Sequence, residues 1–203
     1  MMKRSNKTKV YEAYNEMVHW FDAHRCKELK MEQFYLHQIK LYFPHGGQIL
    51  DIGCGTGEPI ARFLIETGYA LTGVDASEKM IERCKRNFPN AQWILDDMRT
   101  MKFTNQFDVV IAWHSFFHLT PTDQRRTLPL ITSLVKPKGL LLFTSGDESG
   151  EVWGENGGID LYHASLAPQE YETILQQNHF KILVYNVRDP NCGEATVWLA
   201  QKN

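Results

Sequence analysis

Residues 49 to 59 read Ile49-Leu50-Asp51-Ile52-Gly53-Cys54-Gly55-Thr56-Gly57-Glu58-Pro59, an apolar run that passes directly into alternating glycines and then a proline. Such a run is a strand, a tight turn and the first turn of a helix, in which proline is tolerated. The glycines allow positive φ and a close backbone approach to a ligand, and the first amides of the helix are free to hydrogen-bond it. A unit of this kind needs a sheet edge on one side and a crossover helix on the other. It points to an α/β chain with a parallel sheet.

The remaining pattern agrees. Strands are predicted at 48–52, 70–74, 91–95, 107–112 and 139–144, with helices at 59–66, 77–88 and 122–134, the second capped by Ser77. Apolar and aromatic residues from Val10 to Phe43 recur at helical spacing, so two helices precede the first strand. After Ser145 the glycines at 146, 150, 154, 157 and 158 predict a polar surface loop. A helix at 168–178 and strands at 181–187 and 195–200 close the chain as an antiparallel hairpin around the turn-rich Asp189-Pro190-Asn191-Cys192-Gly193. No repeat or linker divides the sequence, and a single domain over 1–203 is expected, with 1–45 a helical lid and 46–203 a Rossmann-like core.

The glycine spacing bears on the ligand. A dinucleotide site shows G-x-G-x-x-G with pyrophosphate on the helix start, whereas here Asp51 precedes alternating glycines. A carboxylate there repels pyrophosphate and attracts an ammonium group, such as the one on the methionine part of S-adenosylmethionine. Asp75, ending the second strand, offers two acceptor oxygens to a ribose diol. Asp97 and Met98, after the third strand, offer an acceptor for an adenine amino group and an apolar face for its ring; a solvated turn is the other reading of that segment.

From Ile49 to Ala112 the chain resembles the class I, seven-stranded, Rossmann-like methyltransferases, through D-x-G-C-G-T-G, the later acidic Asp75 and the strand Phe107-Asp108-Val109-Val110-Ile111-Ala112. Lys136-Pro137-Lys138-Gly139-Leu140-Leu141 is similar to that family's turn into its fifth strand, and the tail resembles a small bacterial subgroup. The resemblance implies a doubly wound, mostly parallel seven-stranded sheet with a C-terminal antiparallel hairpin and N-terminal lid helices. It implies S-adenosylmethionine as cofactor, held by Asp51, Gly53, Cys54, Gly55, Gly57, Asp75, Ala76, Asp97, Met98 and Trp113. The reaction implied is in-line transfer of the sulfonium methyl to an acceptor, leaving S-adenosylhomocysteine.

The acceptor is not written in the sequence. His114, after the fourth strand in Ala112-Trp113-His114-Ser115, is the first candidate general base, and a histidine bonded to backbone is the equal alternative. Tyr14, Trp20, Arg25, His118, Trp153, Tyr162 and His163 are candidate acceptor contacts, each with helix packing or solvent exposure as its structural alternative. A formal charge of -2 disfavours broad capture of nucleic acid, so a small-molecule acceptor is expected. An RNA or protein methyltransferase and a non-catalytic S-adenosylmethionine-binding module are the alternatives. Cys26, Cys54, Cys84 and Cys192 lack metal-ligand spacing, and no metal is expected. No apolar run has bilayer-spanning length, so no membrane partner and a cytoplasmic location are expected.

Overall fold

The computed structural model describes residues 3–203; residues 1 and 2 of the expected domain lie outside the described residues. A two-residue strand, β1 (Lys3–Arg4), leads into the two expected helices, α1 (Val10–His24) and α2 (Gln33–Tyr42). Then β2 (Gln48–Ile52), α3 (Ile60–Glu66), β3 (Ala70–Asp75), α4 (Glu78–Asn87), β4 (Gln92–Leu95), β5 (Phe107–Ala112), α5 (Pro121–Ser133) and β6 (Val135–Ser145) alternate. The chain closes with β7 (Gly150–Asn156), β8 (Ile159–Ser165), α6 (Pro168–Gln177), β9 (Phe180–Asp189) and β10 (Ala195–Lys202).

Seven strands form one sheet in the order β4-β3-β2-β5-β6-β10-β9. The pairs among β2 to β6 are parallel, and β10 runs antiparallel to both β6 and β9. Alternation along the central strands splits the core into two layers. Ile49, Val109, Ile111 and Leu142 pack against Tyr35, Leu36, Leu64 and Ile81 on one face; Leu50, Ile52, Val110 and Phe143 pack against Leu128, Ile131, Tyr171 and Trp198 on the other. Each fully buried Leu or Ile contributes about 2 kcal/mol. The strand order reverses between β2 and β5, so a crevice opens beyond their carboxyl ends. The glycine loop and Trp113-His114 meet there.

Two local expectations are corrected. The predicted polar loop after Ser145 is largely a β-hairpin: β7 pairs antiparallel with β8, and β1 adds in parallel to make a second, three-stranded sheet. Asn156 pairs with Ile159 across Gly157 and Gly158, whose φ values of +57° and +81° suit a two-residue hairpin turn. Glycine density was therefore marking a turn. Likewise Lys136-Pro137-Lys138 lies within β6, where a register shift between Phe107 and Val109 and a φ of +64° at Lys138 absorb the irregularity.

Helix α1 rests on the second sheet, where Val10, Ala13 and Met17 pack against Leu161, Tyr162 and Ala164. This contact sets α1 beside the crevice.

Candidate active site

The crevice is a cavity of about 370 Å³, within the range of small-ligand sites. Its floor is the glycine loop. Gly53, Gly55 and Gly57 all have positive φ, and the amides of Gly53 and Cys54 both donate to the Val74 carbonyl, at 2.7 and 3.1 Å. A Cβ on Gly53 would lie 2.3 Å from the Ser115 Cβ, so only glycine lets the loop pass the segment following β5. Ser115 Oγ donates to the Ile52 carbonyl at 2.7 Å and ties the two strand ends together.

Asp51 and Asp75 line the same cavity. Asp51 is 2% exposed and, among the described residues, has no hydrogen-bond or ion-pair partner for its carboxylate. Burial, reinforced by the charge of Asp75 and opposed by Arg25, pushes its pKa up to about 7. Asp75 is pushed up to about 6 by burial, although its Oδ1 accepts from Ser77 N at 2.8 Å and its Oδ2 from Gly55 N at 2.9 Å. An unpartnered buried carboxylate beside a second one is a site for a cation.

Around these two carboxylates the wall includes Cys54, Ala76, Asp97, Met98 and Trp113. Arg99 forms an ion pair with Asp97 at 2.5 Å, and Asp97 Oδ1 accepts from Arg99 N at 2.9 Å, so Asp97 is held charged with its pKa below the ordinary carboxylate value. Trp113 is buried, and its Nε1 has no partner among the described residues. Gly57 is off the cavity; its Cα faces the Phe88 ring and the turn into α3.

Three histidines stand at the other end. His114 has a φ of +48°, rare for a residue with a Cβ, and its amide donates to Thr144 Oγ1 at 2.9 Å. Burial, then Arg25 and His163, lower its pKa to about 4. His118 is lowered by burial and by His163 to about 3, and the two rings lie 4.7 Å apart. Its Nδ1 lies 2.8 Å from the Tyr162 carbonyl and therefore carries the proton, so Tyr14 donates its hydroxyl hydrogen to His118 Nε2 at 2.9 Å. Both imidazoles are neutral at pH 7.

Of the expected acceptor contacts, Tyr14, Arg25, His118 and His163 line the cavity. Arg25 is anchored by Glu32 at 2.8 Å and donates to the Glu58 carbonyl at 3.2 Å. Trp20, Trp153 and Tyr162 do not line it. Trp20 stacks on His24 at the surface, Trp153 packs edge-on against Tyr162, and Tyr162 reaches the site only through its backbone carbonyl. Sequence reasoning missed Phe21, whose ring covers Gly55, and Arg99, the partner of Asp97.

The sequence profile of a family described as "Methyltransferase domain" matches residues 49–139, the stretch that holds the glycine loop and both carboxylates. The Bacillus subtilis protein YqeM is 40% identical over 111 residues, covering 52% of this chain and 44% of that protein. Glycine N-methyltransferase of Rattus norvegicus is 30% identical over 171 residues, covering 72% of this chain and 58% of that enzyme. The chain thus spans about half the length of the curated relatives it matches. Among solved structures, magnesium protoporphyrin IX methyltransferase from Synechocystis PCC 6803, with bound S-adenosylhomocysteine, superposes with a TM-score of 0.73 at 16% identity, over 97% of this chain and 99% of that one. The 1,6-didemethyltoxoflavin-N1-methyltransferase of Burkholderia thailandensis also gives 0.73 at 16% identity, over 96% and 87%. These two likenesses establish the fold.

Proposed function

Because residues 49–139 match a methyltransferase-domain family and the chain has the fold of the class I, seven-stranded S-adenosylmethionine-dependent methyltransferases, we propose that it transfers a methyl group from S-adenosylmethionine to a small-molecule acceptor. The observation that carries the proposal is the pair of carboxylates, buried Asp51 and half-buried Asp75, in one cavity with the Gly55 amide. Their chemistry fits the cofactor's ends. Asp51 supplies the missing partner for an ammonium group, and Asp75 has lone pairs left for two ribose hydroxyls. Met98 offers an apolar surface to adenine, and the lone pairs of Asp97 not used by Arg99 are acceptors for its amino group.

When bound, S-adenosylmethionine supplies a methyl on a sulfonium, already a good leaving group. The chain must then hold an acceptor lone pair in line with the methyl carbon and keep water out. We assign that task to the wall of Tyr14, His114, His118 and His163. A pKa of about 4 makes His114 a weak base, so it acts chiefly as a hydrogen-bond acceptor for the nucleophile's N–H or O–H. The helices of 1–45 serve as a lid over a core of 46–203, with α1 placing Tyr14 and Phe21 on the cavity and Arg25, just past its C-terminus, joining them. The acceptors named for the similar proteins, glycine and 1,6-didemethyltoxoflavin, are small molecules and support this class of acceptor.

The test is production of S-adenosylhomocysteine from S-adenosylmethionine on addition of small amines, alcohols, carboxylic acids, RNA and protein extracts in separate reactions. Turnover confined to small molecules supports the proposal, and turnover with RNA or protein replaces it. Binding of the cofactor without any turnover favours the non-catalytic module.

A further inference from the structure

Next to Tyr14 on α1, Asn15 turns to the adenosine side of the site. Its Oδ1 accepts two hydrogen bonds, from Ser77 Oγ at 2.8 Å and from Lys79 N at 3.1 Å. Ser77 is the N-cap of α4, and its Oγ accepts from Met80 N at 3.2 Å. Its backbone N–H donates to Asp75 Oδ1, while Asp75 Oδ2 accepts from Gly55 N. The four residues form one continuous chain, Asn15–Ser77–Asp75–Gly55, that crosses from α1 to the glycine loop.

Asn15 meets two donors that nothing else among the described residues satisfies. Ser77 is fully buried, so its hydroxyl proton has no water to meet and needs an acceptor from the protein. Lys79 N is among the first amides of α4, which have no partner inside the helix. Asn15 satisfies both donors with one oxygen. Without it the turn from Asp75 to Ser77 would have to move until its donors found water, and the Asp75 carboxylate would move with it.

We propose that Asn15 is a positioning residue for the cofactor site: by fixing Ser77 it holds the Asp75 carboxylate in place and couples the docking of α1 to the binding of an adenosyl ligand. The inference rests on Asp75 being the ribose acceptor of the proposed function. Coupling is reciprocal, so a ligand held by Asp75 also tightens α1 on the core.

The test is calorimetric titration of the whole chain with S-adenosylhomocysteine, comparing wild type, Asn15→Ala, Asn15→Asp, Ser77→Ala, the Asn15→Ala/Ser77→Ala pair and the surface control Glu12→Ala. Asn15→Ala and Ser77→Ala should each weaken binding by roughly tenfold, and the double variant should be no weaker than the worse single one, because both break the same link. Asn15→Asp keeps the acceptor oxygen and should bind within about threefold of wild type, as should Glu12→Ala. Hydrogen exchange of the α1 amides should slow on ligand addition in wild type and not in Asn15→Ala. Wild-type affinity in Asn15→Ala, full additivity in the double variant, or an Asn15→Asp protein as weak as Asn15→Ala would overturn the coupling. If Asn15→Ala does not fold, the Ser77→Ala and Asn15→Asp affinities decide. Failure of wild type to bind would instead overturn the cofactor reading beneath it.

Discussion

Gly55 and Asp75, twenty residues apart, are joined by a 2.9 Å hydrogen bond from the Gly55 amide to Asp75 Oδ2, so the glycine loop and the end of β3 hold one another at the mouth of the crevice. The bond orients Asp75 while leaving lone pairs for a diol. Replacing Asp75 by Ala should weaken S-adenosylhomocysteine about 100-fold, through loss of two charge-assisted hydrogen bonds. Glu82→Ala, on the exposed face of α4 beside Lys79, should leave affinity unchanged. Equal losses in calorimetry would remove Asp75 from the site.

Gly53 and Gly68 both have positive φ, +73° and +88°, and differ in their surroundings. A methyl group at 68 meets nothing within 4 Å, whereas at 53 it meets Ser115 at 2.3 Å. Gly68→Ala should lower stability by about 1 kcal/mol from backbone strain alone. Gly53→Ala should lower it by about 3 kcal/mol or more and abolish ligand binding. Denaturant midpoints and calorimetry check both, and similar midpoints would show that the loop has room to shift.

The raised carboxylates make ligand binding depend on pH. Asp51, at about 7, and Asp75, at about 6, are partly protonated in the free protein near neutrality, and an ammonium group favours their ionised forms. Affinity for S-adenosylhomocysteine should therefore rise about tenfold from pH 6 to pH 8, with protons released on binding. For stability the sign is opposite. The folded chain holds these protons more tightly than the unfolded one, so the two groups favour the folded state on the acid side and lose that contribution as pH rises from about 4 to about 7. His118 and His114 act the other way: with folded values near 3 and 4, they lose stability as pH falls below about 6.5, where the unfolded imidazoles take up protons. Nitrogen-15 NMR should show His118 neutral, with its proton on Nδ1, down to about pH 4. A titration near 6.5 would place it in solvent.

Arg25 and Glu32 form a largely buried pair, with side chains 17% and 3% exposed. Arg25→Gln should lower stability by about 3 kcal/mol by leaving Glu32 uncompensated. It should also shift the pH midpoint of ligand binding upward, since Arg25 is the cation that favours ionised Asp51. An unchanged midpoint would separate Arg25 from the cofactor carboxylates.

How much of this was legible follows from which signals are local. The glycine loop, Asp75 and the strand after Gln106 are patterns within a few residues, and the alternation of strand and helix gave the sheet. The acceptor wall depended on phase. Tyr14, Phe21 and Arg25 lie seven and then four residues apart, nearly one helical face, whereas Trp20 is one residue out of phase and points to the surface. In β8 neighbouring side chains take opposite faces, so once His163 lines the cavity Tyr162 lies behind it, and Trp153, paired with Tyr162, lies behind it too. Both exclusions were available from period alone, had the 150–165 hairpin been read from its Gly-Gly turn. The pairing of Asp97 with Arg99, the cover of Phe21 over Gly55 and the reach of Asn15 to Ser77 are matters of packing, which no local pattern announces.

The most direct measurement is calorimetry of the purified protein with S-adenosylmethionine, S-adenosylhomocysteine and NAD in parallel. Binding of both adenosyl ligands with no detectable heat from NAD is the predicted result. Binding of NAD alone would contradict the assignment of Asp51 to an ammonium group, and the proposed methyl transfer would fall with it.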